Sequence, residues 1–432
     1  MLLLIKNARI FDGTSESAPQ DILLKDGLIA EIGTAIPVPT TATVWESDHL
    51  CVSPGWMDIG VQVCDPGYEY REDLGSAIAA GMAGGFTAIA CMPNTLPALH
   101  AKSEIGYVIN KAAALSTPVE VFPIGAISQD CGGKDLAELL DMNSAGAIAF
   151  SDGHKSVQDA GLLLRAIQYA QSFNGLIFNE PHHKNIAAGG QMHEGVQSTS
   201  LGLKGIPALA EELMVQRDLS LLDYAGGKLH IHLISTEKSV DMIRTAKKAG
   251  KQVTCSVAIA NLCFTDEKLA RFDSHWKVLP PLRSTDDTTA LLEGLADGTI
   301  DFICSNHTPW DEESKNLEFT YADFGMIGLE TTFALCRTYL ANSLSIQDVV
   351  EKLGCAPRRT LGRSIPSIKV GEQANLTVFD PAATWTYEAR NVRSKSKNSP
   401  FLGQTMTGKV IGVVNKGRST QVSAPIPAPP RN

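Results

Sequence analysis

Apolar residues recur along this chain in two rhythms, and the rhythms divide it. Near the start they alternate with polar ones over 2–10, 21–24, 28–32 and 42–46, the period of half-buried strands. Asp26-Gly27, set between two of these runs, is a strong hairpin signal. From 51 to about 354 each short apolar run is followed by an amphipathic stretch. Strands are predicted at 56–63, 87–92, 120–124, 147–150, 176–178, 229–233, 252–257 and 302–305. Helices are predicted at 103–115, 159–172, 206–224, 238–249 and 290–296. Repeated units of this kind imply a parallel sheet covered by helices. Eight of them imply an α/β protein built on a (β/α)8 barrel, with its site at the strand C-terminal ends. The longest irregular piece, 181–203, follows the fifth strand and is expected over that mouth. Strand patterning returns at 374–379, 385–387 and 409–415.

Composition narrows the function classes. The 432 residues are 44% hydrophobic and 19% charged, ordinary for a globular protein. A net charge of -10 argues against a nucleic-acid partner, since a phosphate backbone needs a basic face. Nine scattered cysteines without a Cys-x-x-Cys pair predict neither a disulfide framework nor a thiolate zinc site, and they fit a reducing cytoplasm. The apolar start is cut short at Lys6 and Asn7, too soon for a secretory segment. No apolar run is long enough to span a membrane.

The stretch Ser53-Pro-Gly-Trp-Met-Asp-Ile-Gly-Val-Gln-Val-Cys-Asp-Pro-Gly67 resembles the first barrel strand of the dihydroorotase branch of the amidohydrolase superfamily. That family writes Pro-Gly-x-x-Asp-x-His-x-His-x-Arg-x-Pro-Gly. Ala83-Gly-Gly-Phe-Thr87, Cys91-Met-Pro-Asn-Thr95, Gly205-Ile-Pro-Ala-Leu-Ala-Glu-Glu212, Pro280-Pro-Leu-Arg283, Gly325-Met-Ile-Gly-Leu-Glu-Thr331 and Lys395-Ser-Lys-Asn-Ser-Pro-Phe-Leu-Gly403 extend the likeness in the family's order. It implies a barrel over 51–362 beside a small β-sandwich made from both termini, 1–50 with 363–425. The proline-rich 426–432 is expected to be a loose tail.

In that family two zinc ions share a hydroxide, and metal coordination brings the pKa of water down to about 7. The resemblance implies that ligands come from strands one, four, five, six and eight. The two first-strand histidine positions are Gly60 and Gln62 here, and the substrate arginine position is Cys64. The fourth strand keeps Asp152, which the pattern also allows as a helix cap or turn residue, while the second aspartate is Gly153. On strand five the ligand falls at Phe178, or at Asn179 after a one-residue slip, with Glu180 matching the family's glutamate. His182 and His183 lie beyond, as solvated loop residues. The sixth-strand ligand is Leu233. His230 and His232 form a His-x-His pair, and if position 233 faces inward, strand parity turns them toward the helices. The catalytic aspartate after strand eight is Asn306, an amide that cannot accept a proton, and His307 lacks its metal and acid partner. Of the substrate contacts Asn94 remains, as a vestige or a turn residue, and a second asparagine is Leu279.

Three readings follow. A catalytically silent dihydroorotase-like protein of pyrimidine biosynthesis is expected first, cytoplasmic, without cofactor and with the family's zinc absent. The resemblance implies that such a homologue is a homodimer partnering the catalytic chain of aspartate transcarbamoylase. The alternatives are an active cyclic-amide hydrolase with a rearranged site drawn from His182, His183, His230 or His307, and a small-molecule sensor using the mouth.

Overall fold

The computed structural model describes residues 1–422; the proline-rich 426–432, and 423–425 of the terminal β unit, lie outside them. Eight parallel segments close a barrel. Trp56–Val61, Phe86–Cys91 and Glu120–Pro123 pair in order, as do Ile177–Asn179, Leu229–Ile231, Val253–Ala258 and Phe302–Cys304. The fourth segment, 147–150, joins the two groups only through Phe150, bridged to Gly125 and Ile177. Asp58 closes the ring: its carboxylate accepts the backbone N–H (3.0 Å) and the hydroxyl of Ser305.

The helices begin where local chemistry starts them. Asp159, Thr236 and Ser284 cap Ala160–Gln171, Glu237–Lys248 and Thr285–Ala296, each side chain accepting an otherwise orphaned backbone N–H. Leu74–Ala83, capped by Asp73, was not predicted. Its sequence is apolar nearly all round, so it shows no helical stripe. Segment 181–203 is less irregular than expected: Met192–His193 pairs with Gly205–Ile206, and Val196–Leu201 is helical.

Strands from both chain ends form one sheet, in the order Arg418–Gln421, Thr405–Asn415, Leu376–Thr386, Cys51–Pro54, Leu2–Ile10, Gln20–Lys25, Leu28–Gly33, with Thr43–Trp45 also on Leu2–Ile10. Asp26 and Gly27 both have positive φ at the expected hairpin. Trp56 joins sheet to barrel. Its ring packs on Phe86, Phe333 and Phe379, and Thr377 accepts its backbone N–H at 3.1 Å. Gly85, at φ +89°, lies so close to Trp56 and Thr377 that a β-carbon would touch both at under 3 Å. The family-like Pro-Gly-Trp and Gly-Gly-Phe-Thr motifs are therefore this joint.

Candidate functional site

The strand C-terminal ends gather the positions singled out above. On strand one Gly60 sits in a bulge against strand two, at φ +95°. A β-carbon there would collide with Nε2 of His232, so the imidazole of strand six fills the space a first-strand side chain would take. Gln62 turns its amide to Nδ1 of His154, 3.3 Å away. Cys64 is buried at φ +58°, and burial pushes its thiol up to about 12. None of the three presents a metal-binding or cationic group at physiological pH.

His230 and His232 face into the barrel, which corrects the parity argument. Leu229 and Ile231 belong to the outer core, whereas His230 lies between Phe178 and Phe302, with ring centroids 4.3 and 5.0 Å away. Parity failed because it was counted back from Leu233, which lies past the strand end at φ +59°. One signal was available in the sequence. Thr254 and Ser256 alternate on the next strand as the histidines do, and His230 is in register with Thr254. The Ser256 hydroxyl meets both rings, at 3.1 and 2.9 Å, and Thr254 meets His230 at 2.8 Å. Burial holds both histidines well below their usual range, His232 at about 3. They are neutral, packed rings.

Asp152 does not cap a helix. Its carboxylate accepts the Ser128 backbone N–H at 2.9 Å and the Ser128 hydroxyl, the same brace that ties Ser305 to Asp58. Glu211 braces Ser235 likewise. Asn94 donates to the Asp152 carbonyl at 2.9 Å and rests in the space that Gly153 leaves. Asn179 bonds Asp218 at 2.6 Å and accepts from Val157 N–H, so it too is a strut. Asn306, at φ +52°, donates to the Leu279 carbonyl at 3.0 Å. His307 has an acid partner after all. Its Nδ1 accepts Gly328 N–H at 3.2 Å, leaving Nε2 to donate to Glu72 at 3.3 Å. Glu72 also accepts the Ser394 hydroxyl and Lys395 N–H, so His307 ties strand eight to the closing segment. Arg71 pins the same rim, stacked 3.5 Å over Trp310 and donating twice to Pro309 O.

A cavity of about 20 Å³ is lined by Glu180, His182, His232, Leu233, Leu279 and Arg283, room for about one water. His182 and His183, both expected in solvent, are half-buried: His182 lines the cavity, and outside it Nδ1 of His183 accepts the Ile186 N–H at 3.3 Å. Glu180 receives no side-chain hydrogen bond among the described residues, and burial alone pushes it up to about 8. Arg283 is committed elsewhere, to Ser235, His193 and the Ile206 carbonyl.

Comparison with known proteins places this geometry. The model of the "Amidohydrolase family" matches residues 181–420, and that described as "Dihydro-orotase-like" matches 50–239. A protein of Syntrophus aciditrophicus (strain SB) named dihydroorotase is 41% identical over 97% of this chain and 99% of its own length. One from Geobacter sp. (strain M21) of the same name is 40% identical over the same shares. Among solved structures, an L-hydantoinase (dihydropyrimidinase) from Arthrobacter aurescens superposes with TM-score 0.83 at 26% identity, covering 97% of this chain and 96% of its own.

This kinship corrects one expectation. Zinc was expected to be absent, but relatives so similar over nearly the whole chain carry the name of a zinc-dependent family, so zinc stays the family's expectation here. The ancestral positions are nevertheless a poor fit for two ions. Gly60, Gln62, Phe178, Leu233 and Asn306 supply neither imidazole nor carboxylate, and among the described residues no three His, Cys, Asp or Glu side chains converge as a metal-binding group.

Proposed function

The chain belongs to the amidohydrolase family, in its dihydroorotase-like branch, and from that premise we propose that it is a dihydroorotase-type protein that no longer turns over dihydroorotate itself. It works instead by association, as a homodimer holding the catalytic chain of aspartate transcarbamoylase. One observation carries the reading: Asn306, at the position of the general base, is an amide spent on the Leu279 carbonyl. An amide cannot take a proton, and losing a general base costs ~10²–10⁴ in rate. The missing arginine at Cys64 removes the bidentate partner of a substrate carboxylate.

The test is turnover in both directions, carbamoyl aspartate to dihydroorotate and back, with zinc supplied. A rate equal to buffer is expected, together with co-purification of aspartate transcarbamoylase from the native cell. A second reading, an active cyclic amidohydrolase with a rearranged site, draws support from relatives named dihydroorotase and from the Glu180 carboxyl beside His182 and His232 at the cavity. Zinc-dependent turnover abolished by Glu180→Gln would establish that reading and end the first.

A further inference from the structure

The face opposite the mouth carries a second cavity that no part of the family chemistry uses. It is a groove of about 330 Å³ at the N-terminal ends of the third and fourth barrel strands. Its floor is apolar, from Ile109 and Ala112 on the helix Lys102–Ala114 and Val119 and Val121 beside it. Arg363, Lys416 and Arg418 stand on its rim, all three exposed. Arg363 is held there by stacking, its guanidinium 4.9 Å from the centre of the Phe122 ring. Glu120 is the one carboxylate among the lining residues. It lies 3.8 Å from Lys416 Nζ and accepts from the Asn415 amide at 3.4 Å, which leaves two arginines without an acid on the groove.

Three cations against one anion stand out on a chain of net charge -10. Beyond a Debye length of roughly 8 Å the repulsion from the rest of the molecule is largely screened, so the charges on the groove itself decide at contact range. Guanidinium forks suit carboxylates, which they bind in pairs of hydrogen bonds. An apolar floor under a charged rim is the anatomy of a protein interface. We infer that this groove docks an acidic segment of a partner protein, one that lays an aliphatic side chain on the floor and its carboxylates on Arg363 and Arg418. The inference rests on the association reading for its biological setting, though not for its chemistry.

Two measurements on the full chain separate the two. In the first, a fluorescein-labelled peptide of alternating glutamate and leucine is titrated by anisotropy. Binding should weaken at least 10-fold in R363E/R418E and fade as salt rises. Because both side chains are exposed the variant should fold, and R363Q/R418Q serves if it does not. Equal binding of a lysine–leucine peptide, no binding at all, or binding indifferent to the double reversal overturns the groove. In the second, assembly with the aspartate transcarbamoylase chain is followed by sedimentation. Assembly by the wild type and not by R363E/R418E supports both ideas, and assembly by both overturns the groove alone. Peptide binding without any assembly supports the groove and ends the proposed partnership.

Discussion

The joint between barrel and terminal sheet and the barrel mouth are built from equally family-like stretches, yet they have been treated in opposite ways. At the joint the residues do the work their types suggest: Trp56 fills the seam, Gly85 permits it, and Thr377 accepts its N–H. At the mouth the side chains at the family's ligand and substrate positions are fastened to neighbours. Gln62 is tied to His154, Asn94 to Asp152, Asn306 to Leu279, and His232 is seated over Gly60. Amides suit this use, since a buried polar group costs little when it is paired. The difference separates residues that join the two parts of the fold from residues that brace the mouth.

The sharpest way to break that contrast is to put a ligand back. Gly60→His must place a side chain where His232 already sits, at a φ that disfavours any β-carbon. We expect a loss of about 3 kcal/mol or more, from overpacking of ~1–3 and backbone strain of ~1–3, read by urea unfolding. Adding His232→Gly should recover part of it, a coupling of about 0.5–3 kcal/mol in a double-mutant cycle. Additive losses would mean that the two sites are independent and the seat of His232 incidental.

Next in size are the serine braces shared by frame and mouth. Asp58→Ala strands the buried Ser305 N–H and hydroxyl, at roughly 1–3 kcal/mol for an unsatisfied group, and Asp152→Ala should cost a similar amount through Ser128. A loss at Asp152 within experimental error would show that the mouth brace, unlike the frame's, is dispensable.

A pH series gives a smaller effect. Burial raises Glu180 to about 8, above its unfolded value near 4.3. Its contribution is therefore complete below about pH 4 and is lost as pH rises through 8. Glu330, raised to about 7 by burial, fades in the same direction in a lower window. Glu180→Gln should flatten the fall in Tm between about pH 5 and 8 and leave the part due to Glu330, which ends near pH 7. An unchanged slope would place Glu180 in solvent. Smallest of all, His183→Ala, which removes the acceptor of the Ile186 N–H on the outer loop, should cost about 1 kcal/mol or less.

Much of this frame was legible in the sequence, because strand rhythm, helical periodicity and the Asp26-Gly27 turn act through neighbours along the chain. The mouth was legible only as a set of losses. That Gly60 and His232 share one space depends on positions 172 residues apart, and each looks like an isolated oddity when read alone. The inward turn of His230 hung on where strand six ends, a boundary that Leu233 sets through its positive φ. The third-strand groove gave no warning either, since Arg363, Lys416 and Arg418 meet only after the termini return to the barrel.

That return has a consequence for how the protein is made. Cys51–Pro54 takes its antiparallel partner from Leu376–Phe379. More than 300 residues must therefore be synthesised between one side of this pairing and the other. At roughly 5–20 residues per second the early strand waits on the order of tens of seconds on the ribosome with that edge bare. An unpaired edge invites wrong partners, so this is the interval in which a nascent chain of this kind most needs protection, and a ribosome stalled before residue 376 would release a barrel whose sheet cannot be completed.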